Sequence, residues 1–292
     1  MRRLAAAVII LVGLLASGAA TQALSEGTAS AIPGGPPPDP PATAWLATSN
    51  GSVFDAFGRP GQYGSAEGSP LNAPVVGLAA MPNGMGYWLV AGDGGVFTYG
   101  SAGFFGSMGG QYLNAPVVGM ATTWDGGGYW LVAADGGVFT YGDANFYGSA
   151  GGTHLNAPVV GIAATPDSGG YWLVAADGGV FSYGDANFYG SAGGTHLNAP
   201  MVGMAATGDG GGYWLVAADG GVFSYGDAPF YGSRGGDSIS APVVGIAPNS
   251  VQNATGYVIA SSDGSCFRFT SDSDGVSFSF TQSVVGIVPT VS

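Results

Sequence analysis

Short apolar runs separated by glycine-rich turns recur along most of the chain. Within one copy of this pattern, residues 159–164, 171–176 and 180–183 are mainly apolar, and Asp177-Gly178-Gly179 stands between the last two runs. Runs of this length, bounded by Gly, Asp and Ser, are typical of β-strands joined by tight turns. Residues 188–191 predict a fourth, shorter strand. The pattern therefore predicts an all-β protein built from units of four antiparallel strands.

The unit occurs six times and is about 42 residues long. Residues 151–192 and 193–234 differ at only six positions, so the repetition is structural. The same place in each second strand is taken by Trp45, Trp88, Trp130, Trp172, Trp214 and, in the last copy, Val258.

The first and last copies are incomplete in complementary ways. The first copy begins at its second strand, near Ala44, and the chain ends with an unaccompanied first strand, residues 284–288. Second strands carry apolar side chains on both faces, so each sheet has to be covered on both sides. We therefore predict a six-bladed β-propeller over residues 44–292, with four-stranded blades and with the C-terminal strand completing the N-terminal blade.

The third position of every first strand is glycine. Small residues suit a crowded axis on which the innermost strands converge, so these glycines predict that the first strands are innermost. They are Gly77, Gly119, Gly161, Gly203, Gly245 and Gly286.

The N-terminal 43 residues lack the repeat. Arg2 and Arg3 precede an apolar run, residues 4–15, and then small residues, which predicts a secretory signal peptide over residues 1–23. Cleavage after Ala20 or after Ala23 fits this pattern, and the run is shorter than the ~20 residues that span a bilayer. Residues 24–43 are rich in proline and predict a linker. We expect a secreted protein, associated with the cell wall or free outside the cell, with no membrane span in the mature chain.

Composition narrows the classes of partner. The chain has 56 glycines in 292 residues, five arginines, no lysine and a formal net charge of −13. Without a basic surface the protein is not expected to bind nucleic acid. We expect a monomer.

One copy reads Gly170-Tyr171-Trp172-Leu173-Val174-Ala175-Ala176-Asp177-Gly178-Gly179-Val180-Phe181-Ser182-Tyr183-Gly184-Asp185-Ala186, followed by Phe188-Tyr189-Gly190-Ser191. This sequence resembles a propeller-type repeat of exported proteins from high-GC Gram-positive bacteria, and the resemblance covers residues 44–292. It implies a surface location, sometimes beside cell-wall hydrolases, and no shared catalytic residues. The hairpin at Asp93-Gly94-Gly95-Val96-Phe97 also resembles the Asp box of sialidases, which is a turn motif, with one residue fewer before the aromatic.

Four residues are candidate ligand contacts. Trp124 breaks the repeat in the turn between the first and second strands, where it is expected to be exposed as a platform for sugar rings. Tyr112, His154 and His196 share one loop position in successive copies and predict an arc on the opposite end of the sheets. Solvated loop tips, and for Trp124 a cover over a neighbouring blade, are the alternative interpretations.

We predict neither catalytic residues nor a metal site. The two histidines occupy equivalent loop positions without a nucleophile motif, and the three arginines beyond the signal lie in different copies. Aspartates recur in turns, where their carboxylates bind their own backbone; calcium binding is the alternative, and no other cofactor is expected. Cys266 replaces a valine and predicts a buried free thiol.

These observations favour a non-catalytic binding or scaffolding module at the cell surface, whose ligand is a cell-wall polysaccharide or another protein. A propeller hydrolase or lyase with a site at the channel mouth, and a purely structural spacer, are the alternatives.

Overall fold

The computed structural model describes residues 44–55, 60–249, 255–271, 273–278 and 283–289. The predicted signal peptide and linker lie outside the described residues. Every regular element in the described part is a β-strand, so the all-β prediction is confirmed. It contains no helix long and apolar enough to cross a membrane.

In the described part of the chain, nineteen strands form six antiparallel sheets. The first sheet joins the two ends of the chain, with β19 (Val284–Pro289), β1 (Ala44–Thr48) and β2 (Val53–Asp55) in that order. The next four sheets each take three consecutive strands: β3 (Val75–Ala80), β4 (Gly86–Ala91), β5 (Val96–Gly100); β6 (Val117–Thr122), β7 (Gly128–Ala133), β8 (Val138–Gly142); β9 (Val159–Ala164), β10 (Gly170–Ala175), β11 (Val180–Gly184); β12 (Met201–Ala206), β13 (Gly212–Ala217), β14 (Val222–Gly226). The last sheet has β15 (Val243–Asn249), β16 (Gly256–Ser261), β17 (Cys266–Thr270) and β18 (Ser273–Phe278).

The prediction of four strands in every unit is wrong. Among the described residues, only the last sheet has a fourth strand; in the sheet of β9–β11, the segment that follows β11 makes no ladder. Its backbone is bound by side chains instead: Trp172 Nε1 donates to the Asn187 carbonyl at 2.7 Å, Tyr189 N donates to Tyr213 Oη at 3.2 Å, and that hydroxyl donates to the Gly190 carbonyl at 2.6 Å. Because Tyr213 belongs to the next sheet, the segment joins two sheets rather than extending one.

Each pair of neighbouring sheets encloses its own apolar core. Trp172 and Val174 on one face of β10 pack against Tyr213 and Leu215 of β13, and all four are almost fully buried. The other five cores repeat this arrangement, including one in which Val258 of the last sheet meets Leu46 of the first. Burial on both faces of every second strand is thereby achieved by neighbouring sheets, as the sequence pattern predicts.

The first strands lie side by side at the glycine positions. A Cβ atom placed on Gly119, Gly161 or Gly203 would lie between 3.6 and 3.9 Å from the Cα of the next glycine in the series. On Gly286 it would lie 3.4 Å from the Cα of Gly77. Strand β19, which is the C-terminal member of this series of first strands, therefore contacts β3 as well as β15. A Cβ at these positions would already be in van der Waals contact with the neighbouring backbone, so the first strands approach one another closely along the glycine series.

Candidate functional site

The strands leave two loop-bearing ends. The turn end consists of the turns between first and second strands, residues 81–85, 123–127, 165–169 and 207–211. The hairpin end consists of the hairpins between second and third strands, residues 92–95, 134–137, 176–179 and 218–221. Long connections lie beside the hairpins, since Ala150 N donates to the Gly136 carbonyl at 3.0 Å and Val159 N to that of Ala134 at 2.9 Å. The hairpins and the long connections therefore share one end of the sheets.

Trp124 lies at the turn end, and its side chain is 66% exposed. Its backbone N–H donates to Ser168 Oγ of the next turn at 2.7 Å. Ser168 has a positive φ of 62°, whereas the equivalent Gly126 and Gly210 have φ of 73° and 72°. A serine in this region is strained relative to glycine, and its hydroxyl fixes the turn that carries Trp124. Trp124 is therefore an exposed aromatic on an anchored turn.

The three other predicted contacts lie at the hairpin end, and the structure does not gather them in one cavity. Tyr112 is 88% exposed, and both histidines are exposed. His154 lines a cavity of about 620 Å³ with Asn114 and Asp135, and His196 lines a separate one of about 260 Å³ with Asp219.

Four exposed phenylalanines were not predicted from the sequence. They take the same place in four successive copies, in the segment that follows the third strand, and their exposed fractions agree within 59–61%. We call them the phenylalanine row: Phe104, Phe146, Phe188 and Phe230. The preceding backbone is held by a tryptophan side chain in each copy, for example Trp130 Nε1 to the Asn145 carbonyl at 2.7 Å. Each ring is thus an exposed apolar side chain on a fixed backbone.

An apolar cavity of about 440 Å³ lies among the first strands of all sheets, and we call it the axial cup. Its lining begins just after the glycines and extends to Pro82, Pro166 and Gly208 at the turn end. None of the described residues that line the cup is charged. The residues next to the glycines are Leu78, Met120, Ile162, Met204, Ile246 and Ile287.

Aspartates of the turn end stay ionised. Gly127 N and Gly169 N donate to Asp125 and Asp167 at 3.0 and 3.1 Å, and these hydrogen bonds lower the pKa of both carboxyls. For Asp209 the largest cause of the lowered pKa is the Thr207 hydroxyl, followed by Gly211 N. Asp177 likewise accepts from Gly179 N at 2.9 Å in its hairpin, which is the predicted turn chemistry.

The described residues contain no group of three or more His, Cys, Asp or Glu side chains that could hold a metal ion. Cys266 is fully buried, as predicted, and burial raises the pKa of its thiol to about 12. Its thiol therefore remains protonated at neutral pH and is a poor nucleophile.

No protein-family model matches the chain, and no curated protein matches it.

Proposed function

We propose that residues 44–292 form a closed six-bladed β-propeller that acts outside the cell as a non-catalytic, polysaccharide-binding module. Closure is supported by the pairing of β19 with β1, by the contact between Gly286 and Gly77, and by the apolar core shared by the last and first sheets. Export is supported by the basic, apolar and small-residue regions at the N-terminus.

The phenylalanine row is the observation that carries the binding function. A large apolar side chain exposed once is ordinary, but four at one repeated position, each about 60% exposed, form a series. A polysaccharide presents the same sugar unit repeatedly, so it matches a ligand site that is itself repeated. Aromatic rings offer sugar rings an apolar face, and several weak contacts on one rigid support add up to useful affinity.

Trp124 is a further contact in this proposal, at the turn end. Its anchored turn reduces the conformational entropy lost when a ligand is bound. The arc of Tyr112, His154 and His196 stays a prediction.

The proposal is tested by co-sedimentation of the purified protein with insoluble cell-wall glycan. Replacing all four residues of the row by serine is expected to reduce the bound fraction at least fivefold, and each single replacement about twofold, because the contacts act together. Trp124→Ala is expected to weaken binding by a factor similar to that of one phenylalanine.

Ser69→Ala, at an exposed loop position of the first copy, serves as the control and is expected to bind as the wild type does. Unchanged sedimentation of the four-serine variant would refute the glycan proposal. If glycan binding is absent but a secreted protein is retained by the wild type and lost from the four-serine variant, the row serves a protein partner instead.

A further inference from the structure

The axial cup is a second kind of binding surface, chemically unlike the phenylalanine row. Alanine, proline and larger aliphatic residues dominate its wall, and the hydroxyl of Thr207 is already hydrogen-bonded to the Gly212 backbone. A sugar placed inside would lose most of its hydrogen bonds to water without replacement, which disfavours glycan. An apolar group would instead be transferred from water to an apolar surface.

The charged side chains next to the cup in these turns are acidic. Asp167 and Asp209 directly follow Pro166 and Gly208, which line the cup, and Asp125 takes the equivalent place in the preceding turn. All three aspartates are exposed. We call these three aspartates the acidic rim.

A smaller cavity of about 240 Å³ extends this pattern. It shares Pro166 with the cup and is lined by Asp167, Asp185 and Asp209. The chain has no lysine, and the two arginines in the described part lie elsewhere: Arg268 on β17, and Arg234 beside the hairpin end, where it pairs with Asp237 at 3.3 Å. Nothing cationic in the described turns neutralises the acidic rim.

We propose that the axial cup binds cationic amphiphiles, with the apolar group inside the cup and an ammonium group at the acidic rim. This inference goes beyond the proposed glycan function and uses none of the residues of the phenylalanine row. The apolar wall supplies affinity, and the rim selects the sign of the charge. An anionic amphiphile of equal length is disfavoured because its head group meets carboxylates of like charge.

Isothermal titration of the full protein with octyltrimethylammonium, octyl sulfate and octanol, each kept below its micelle-forming concentration, tests the proposal. We expect one site for octyltrimethylammonium and binding about tenfold weaker, or none, for octyl sulfate. Ala164→Leu places a larger side chain in the wall of the cup and is expected to weaken the binding of both octyltrimethylammonium and octanol.

The contribution of the rim is isolated with two matched triple variants. The first triple variant combines Asp125→Asn, Asp167→Asn and Asp209→Asn. It is expected to weaken the binding of octyltrimethylammonium about three- to tenfold and to leave the binding of octanol unchanged. The control triple, Asp135→Asn, Asp177→Asn and Asp219→Asn, makes the same change of net charge in hairpin turns where each carboxylate also binds a backbone N–H. It is expected to leave both ligands unchanged.

If the two triple variants weaken the binding of octyltrimethylammonium equally, the proposal is overturned, because the effect would then come from net charge alone. Equal affinity for octyl sulfate and octyltrimethylammonium, or no binding of either, would also overturn it. Loss of glycan sedimentation in the four-serine variant bears only on the phenylalanine row, so the two proposals fail separately.

Discussion

At the scale of single residues, tyrosine hydroxyls connect consecutive sheets. Tyr147 and Tyr189 follow the third strands of their own sheets and donate to carbonyls in the next turn, those of Ser168 and Gly210, both at 2.8 Å. The equivalent residue in the second copy is Phe105, which has no hydroxyl. One link between sheets is therefore missing in an otherwise regular series.

Phe105→Tyr is expected to stabilise the protein. A new hydrogen bond to the backbone of the turn at Gly126 contributes about 0.5–1.5 kcal/mol, which raises the Tm by about 2–4 °C per kcal/mol in a domain of this size. Tyr189→Phe, the reverse change in a later copy, is expected to lower the Tm by a similar amount. Differential scanning calorimetry measures both, and a lower Tm for Phe105→Tyr would contradict the expected link.

The repeat determines which site residues can be predicted from the sequence alone. Trp124 was identified because it differs from its equivalents, Pro82 and Pro166, and the structure places it in the expected exposed turn. The phenylalanine row was missed because its members agree with one another and resemble buried positions of a strand. The sequence does contain a usable signal. Adjacent side chains in an extended segment such as Phe188-Tyr189 point to opposite sides. Tyr189 packs inward against Tyr213, which leaves Phe188 exposed.

At the scale of elements, the strands and turns were largely predictable from the sequence, and the fourth strand was not. Alternation and turn residues identify the first three strands of a copy because their partners are neighbours in the chain. The segment after the third strand is held instead by Trp172 of its own sheet and Tyr213 of the next. Contacts of this kind depend on how sheets pack, which a local pattern does not contain. The axial cup could not be predicted from the sequence for the same reason, because its wall is formed by the first strands of all six sheets.

The turn aspartates predict acid sensitivity. Asp125, Asp167 and Asp209 have pKa values lowered by folding, so the folded protein binds protons less readily than the unfolded chain. Their stabilising contribution is complete above the pKa of about 3.9 of an unfolded aspartate, and it is lost as the pH falls through the lower, folded values.

We therefore expect the Tm to decrease as the pH falls below about 4. The triple asparagine variant of the acidic rim is expected to show a weaker dependence over that window, because its turns have nothing to titrate. Thermal scans between about pH 6 and pH 2.5 test this prediction. Parallel curves for the variant and the wild type would show that other groups cause the acid sensitivity.

At the scale of the whole molecule, the first sheet is assembled from the two ends of the chain. β19 supplies the partner of β1, with Leu46 opposite Ile287 and Ala47 opposite Gly286. It also lies between β15 and β3, so its apolar side chains enter the cores on both sides. One short segment thus completes a sheet and connects the last repeat to the first.

Deleting residues 284–292 is consequently expected to destabilise the entire repeat domain. The loss removes the buried Val284 and Ile287 and exposes the edge of β1. Each such apolar side chain contributes about 2 kcal/mol or more, so the Tm is expected to fall by at least about 10 °C. Deleting only residues 290–292, which leaves β19 intact, provides the matched control and is expected to change the Tm by less than about 2 °C.

A synthetic peptide of residues 283–292 added to the truncated protein distinguishes closure from a general loss of apolar contacts. If β19 acts by filling its place beside β1, the peptide is expected to bind in trans and restore most of the lost Tm, in proportion to its concentration. A peptide with the same residues in scrambled order cannot place Val284 opposite Thr48 and Ile287 opposite Leu46, so it is expected to restore none. Equal recovery with both peptides, or an unchanged Tm after the deletion, would mean that the other five sheets are stable without the strand that joins the ends.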